Sequence, residues 1–143
     1  TCPYSKLTTF GGDVDGERIG LWDKDVVEAF IGTDTKHPRR YKEFELAPDG
    51  EHLDLTLDLP KKDFKWNSEF EVKVEVGDGV WHGMMRIPMR ALSDSTPKIG
   101  DRWRINLYRC DRANRLFLAT SPTLTGTFHR PWRFALLELA GED

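Results

Sequence analysis

Apolar and polar residues alternate with a period of two along most of the chain, the signature of strands that bury one face. Such runs cover Val26 to Ile31, Tyr41 to Leu46, Leu53 to Leu59, Phe70 to Val76, Val80 to Ile87, Arg102 to Cys110, Leu116 to Ala119 and Phe134 to Leu139. The segments between them are turn formers. Pro48-Asp49-Gly50, Gly77-Asp78-Gly79 and Asp111-Arg112-Ala113-Asn114 each join two alternating runs and predict hairpins. The one helical candidate is Pro88-Met89-Arg90-Ala91-Leu92, with proline at a first-turn position. About eight closely spaced strands and one short helix predict an all-β fold, an antiparallel β-sandwich. With no repeat or linker-like stretch, residues 1–143 read as one such domain.

Composition narrows the function classes. A net charge of -3 lacks the broad positive field that draws proteins to phosphate backbones, which argues against a nucleic-acid partner. No apolar run approaches the roughly 20 residues of a transmembrane segment. Cys2 and Cys110 are too few for a disulfide scaffold; they either pair or remain free buried thiols.

The candidate chemistry is sparse. His37, His52, His82 and His129 form no zinc-binding spacing. Asp13, Asp15 and Glu17, around Gly16, resemble the start of an oxygen-ligand calcium loop, against the plainer reading of a solvated turn. Asp25 and Glu28 fall on opposite faces of a strand, so no carboxylate pair suited to hydrolysis can be placed on one face. Trp22 beside Glu28 suits sugar binding, a ring for the CH face and a carboxylate for hydroxyls, or else both are ordinary sheet residues. Trp66, Trp81 and Trp103 read as core. Trp132 and His129 lie in a segment without strand periodicity, where an exposed ring suits ligand stacking or edge packing. Arg39, Arg40 and Lys42 read as a solvated face. Met84, Met85 and Met89 read as core gap-fillers, with haem ligation by a methionine and a histidine as the alternative.

Four strings in order, Leu21-Trp22-Asp23-Lys24-Asp25-Val26-Val27-Glu28-Ala29-Phe30-Ile31, Tyr41 to Gly50 with Leu53-Asp54, Trp103 to Arg109, and Phe128-His129-Arg130-Pro131, resemble family 9 carbohydrate-binding modules across nearly the whole chain. The resemblance implies a jelly-roll-like sandwich, often with structural calcium, in secreted (extracellular or periplasmic) proteins such as xylanases, binding xylan or cellulose chains without hydrolysing them. It implies that Trp22 and Trp132 sandwich the sugar, and that Glu28, His129 and a basic residue, Arg40 or Lys42, anchor its hydroxyls. Family members begin with further strands upstream of the segment like Cys2-Pro3-Tyr4. A partner chain or removed segment is therefore expected to complete the sandwich, unless it closes with fewer strands. Two alternatives stand beside sugar binding: a structural or assembly subunit without a sugar site, and a haem-binding electron-transfer sandwich.

Overall fold

The eight alternating runs become strands, joined among the described residues by two short strands without periodicity and one helical turn. The structure, a computed structural model, describes residues 1–12 and 16–141. In chain order these are β1 (Cys2–Pro3), β2 (Val26–Gly32), β3 (Arg40–Leu46), β4 (His52–Asp58), β5 (Lys61–Asp63), β6 (Glu71–Gly77), β7 (Val80–Arg86), α1 (Met89–Leu92), β8 (Arg102–Asp111), β9 (Leu116–Ala119) and β10 (Ala135–Glu138). Every pairing between strands is antiparallel. A large sheet runs β10-β8-β2-β3-β4-β5, and a small one β1-β7-β6. β10 pairs with residues 102–105 of β8 and β9 with residues 108–111, so the two short strands lie end to end along one β8 edge. The three predicted turns all form; Gly50 at φ 89° and Gly79 at φ 69° occupy left-handed conformations that favour glycine.

The large sheet is buried on both faces. One face carries Ala29, Ile31, Phe44 and Trp103, which pack on Phe70, Val72 and Met85 from the small-sheet side. The other carries Val26, Phe30, Tyr41, Leu53, Leu55, Leu57, Tyr108 and Cys110, covered by Leu21, Phe128 and Phe134 from the loops. The strands thus form an antiparallel β-sandwich with a further layer of loops on its second face. Trp81 and Trp103 are buried and Trp66 packs against the core. The methionines depart from expectation: Met84 and Met89 are 63% and 49% exposed, because their positions face solvent, and only Met85 packs inward. Both cysteines are buried free thiols, Cys2 in the small sheet and Cys110 in the large one. No helix among the described residues is long and apolar enough to cross a membrane.

Candidate functional site

Strand parity places three glutamates side by side on the loop-covered face. Glu28 of β2 lies opposite Glu45 of β3, and Phe30 opposite Glu43. Their carboxylates come within 4.8 Å of one another while the side chains are buried, Glu45 completely. Burial disfavours charge, and proximity adds repulsion. Burial and then the Glu43 charge push Glu28 up to about 8, against the pull of Cys110, Lys62 and Arg112. Burial pushes Glu43 up to about 7, opposed by Lys62. Glu45 rises well above the usual carboxylate range through burial and its two acidic neighbours. The Cys110 thiol lies 3.6 Å from Glu28 Oε1 and, raised by burial, keeps its proton.

Above this floor, the loops are pinned to the sheet by polar groups. Asn106, fully buried on β8, donates to Tyr108 Oη (2.7 Å) and the Ser121 carbonyl (2.6 Å), and accepts from Thr120 Oγ1 and Ser121 N–H (2.9 Å each). Tyr108 Oη in turn donates to the Phe128 carbonyl (2.9 Å), and the two rings stack 4.1 Å apart. That fixes the next residue, His129, whose ring stacks on Phe30 at 5.3 Å. Lys62 of β5 donates to His129 Nε2 (2.6 Å), so the neutral ring carries its proton on Nδ1, 2.6 Å from Tyr41 Oη. Burial and the Lys62 charge hold His129 down to about 4.

Trp22 enters from a 3-10 turn, Leu21–Asp23, which follows Gly20 in a left-handed conformation. The turn is fastened at its middle and just beyond its C-terminal end. Arg112 donates its guanidinium to the Trp22 carbonyl, and buried Asp25 accepts from Thr8 N–H (2.9 Å), Thr8 Oγ1 (2.8 Å) and Arg112 N–H (2.7 Å). Together these groups enclose a cavity of about 540 Å³ lined by the rings of Trp22, Phe30, Phe117, Phe128 and His129, the carboxyls of Glu28 and Glu43, and the cations Lys62 and Arg112. Lys62 Nζ stands 6.0 Å from the Trp22 ring centre, and the Arg112 guanidinium 4.9 Å from that of Phe117.

Of the residues expected from the sequence, Trp22, Glu28 and His129 meet in this cavity. Arg40 and Lys42 share the opposite parity of β3; Arg40 pairs with Asp58 at 3.1 Å and Lys42 Nζ lies 3.4 Å from the Leu92 carbonyl. Trp132 is half exposed outside the cavity, with the Arg130 guanidinium 5.6 Å from its ring. The expectation that no carboxylates share a face is overturned by the Glu28, Glu43 and Glu45 trio, because two of the three come from the neighbouring strand. Asp13 and Asp15 lie outside the described residues. Glu17 bridges to His52, and burial, then the adjacent Asp54 carboxyl, push it up to about 7. Sequence reasoning missed Glu43, Glu45, Lys62, Arg112 and Phe117.

No family model matches the chain. It is 35% identical over 72 residues to the UPF0462 protein C4orf33 homolog of Danio rerio, which aligns 50% of this chain with 35% of that protein. It is 27% identical over 104 residues to an extracellular protein of Arthroderma benhamiae, covering 62% of this chain and 46% of that protein. The chain thus spans less than half the length of these curated relatives. Among solved structures, a candidate carbohydrate-binding protein from Bacteroides uniformis superposes with a TM-score of 0.69 at 19% identity, covering 92% of this chain and 67% of that one. A family 9 carbohydrate-binding module from Caldicellulosiruptor kristjanssonii, in complex with cellotriose, gives 0.65 at 14% identity, covering 91% and 65%. At such identities the likeness is one of architecture: the chain has the β-sandwich fold of these two proteins.

Proposed function

We propose that the cavity binds a carbohydrate without hydrolysing it. The observation that carries this reading is the joint lining of one concave space by ring faces, acidic acceptors and cationic donors. A pyranose has apolar CH faces and a rim of hydroxyls. Rings such as Trp22 and Phe117 offer apolar surface to the former, while Glu28 accepts from, and Lys62 and Arg112 donate to, the latter. The volume falls within the usual range for small-ligand pockets, about 300–1,000 Å³. The cellotriose complex of the structural neighbour supports the same class of ligand. Hydrolysis needs carboxyls disposed about the scissile bond, one protonating the leaving oxygen and another acting at the anomeric centre. Here the three carboxyls cluster on a single sheet face. A polysaccharide ligand goes with a location outside the cytoplasm.

Calorimetric titration against cello- and xylo-oligosaccharides tests the reading. The expected result is micromolar-range binding, as for a small preformed site, weakened at least tenfold (about 1.4 kcal/mol) by Trp22→Ala. An absence of heat with every glycan in the panel would end it. One observation favours assembly as a second reading: Leu116, Phe117 and Leu118 of β9 and Leu136 of β10 are all about half exposed along one β8 edge. Light scattering over a range of concentrations separates the two, since a strict monomer that binds sugar removes the second.

A further inference from the structure

Glu43 Oε2 and both Glu45 carboxylate oxygens are buried with no donor outside the trio, and the Glu43 and Glu45 carboxyls reach only one another. Glu45 is wholly inaccessible, Glu43 is 3% exposed and Glu28 is 4% exposed. Glu45 is aimed at the other two, since its carboxylate stands within 4.8 Å of both. Burying a carboxylate without a donor costs several kcal/mol per group, so such oxygens require a counter-charge or protons. The neighbouring cations supply no close ion pair: Lys62 is directed to His129 Nε2 and Arg112 to the Trp22 carbonyl. Among the described residues, the one basic group within 4.0 Å of the trio is His129, its Nδ1 at that limit from Glu43 Oε2, and His129 is held in its neutral form.

We propose that Glu28 and Glu43, at the floor of the cavity, and Glu45, wholly buried beside them, form a binding site for a hard divalent cation of the calcium, magnesium or manganese class. The donor set decides the class. Three carboxylates on adjacent antiparallel strands offer only oxygen, which suits hard cations and leaves zinc or copper poorly served. Cys110, the nearest sulfur, retains its proton, and the His129 nitrogens are engaged by Lys62 and Tyr41. The cavity above the trio admits the water molecules that complete the coordination of such ions. The competing occupant is a proton shared between Glu43 and Glu45. The site does not rest on the sugar reading, and its test contains no sugar.

Chelator-treated protein is titrated with Mn²⁺ at pH 7.5, the free ion being followed by its paramagnetic resonance signal, and then challenged with Ca²⁺ or Mg²⁺. The parent chain is expected to take up Mn²⁺ displaceably, with Glu45→Gln and Glu43→Gln each removing one equivalent or weakening it at least tenfold. The exposed Glu71→Gln leaves uptake unchanged. Absence of uptake by the parent, or uptake unaltered in both cluster variants, overturns the site in favour of the shared proton. Circular dichroism checks that each variant folds; should one fail, the other and the parent titration still decide.

Discussion

Glu28→Gln should make the metal-free protein more stable at alkaline pH. In the unfolded chain the Glu28 carboxyl titrates at its ordinary 4.5, whereas in the folded protein burial and Glu43 raise it to about 8. The folded state therefore holds a proton that the unfolded state has released. The stability linked to that proton is complete below pH 4.5 and is lost progressively as pH rises from 4.5 to about 8. At about 1.36 kcal/mol per pH unit, the loss by pH 8 is on the order of 5 kcal/mol. Glutamine has nearly the same shape, never ionises, and its carbonyl can still accept from Cys110. Burying its amide costs about 1–2 kcal/mol, leaving a net gain of about 3 kcal/mol at pH 8 and close to none at pH 5. Urea unfolding in chelator, followed by tryptophan fluorescence at both pH values, measures this difference. A variant no more stable than the parent at pH 8, or equally shifted at both pH values, would refute the reasoning.

Replacing Lys62 with methionine removes the charge beside His129 Nε2, so the His129 proton resonance, which should titrate near pH 4 in the parent, is expected to move toward 6.5. Because His129 is depressed, its contribution to stability in the parent is present above pH 6.5 and lost as pH falls toward 4; the Lys62→Met variant should lose less over that window. Asn106→Ala strips partners from Tyr108, Thr120 and Ser121 and should cost about 3–5 kcal/mol in urea unfolding. Gly83→Ala places a Cβ 2.9 Å from Trp81 Cζ3 and 3.1 Å from Leu46 Cδ2, both side chains buried, and should cost about 1–3 kcal/mol with a matching fall in Tm.

The eight long or hydrophobic strands and three turns were readable because period-two alternation and Pro, Gly and Asp punctuation are local signals. β1 and β5 were not, since two- and three-residue strands carry no periodicity and Lys61-Lys62-Asp63 has no apolar member. The site was less readable for a related reason. In Tyr41-Lys42-Glu43-Phe44-Glu45-Leu46, alternation implies that Phe44 and Leu46 face the core and Glu43 and Glu45 face water. The sheet is instead covered on both faces, so of the positions assigned to solvent Glu43 lines the cavity floor and Glu45 is wholly buried. The same parity carries Arg40 and Lys42 away from it, and the cation that faces His129 comes from β5, a strand without a signature. Trp22 and Glu28 were found because a tryptophan beside an acidic strand position is visible residue by residue, whereas Glu45 acquires its meaning only from the register that sets it opposite Glu28.

The Asn106 and Tyr108 side chains that hold residues 120–128 to β8 also bear on time rather than shape. A covering loop bonded through its Ser121 N–H and carbonyl to one fully buried amide cannot swing away without leaving that amide unpaired, so its opening is costly. The cavity should then offer the same mouth before and after a ligand arrives, with no lid step between encounter and capture. Association rates would rise linearly with ligand concentration without reaching a plateau, and the Ser121 amide, bonded to the buried Asn106 side chain, would be protected from exchange.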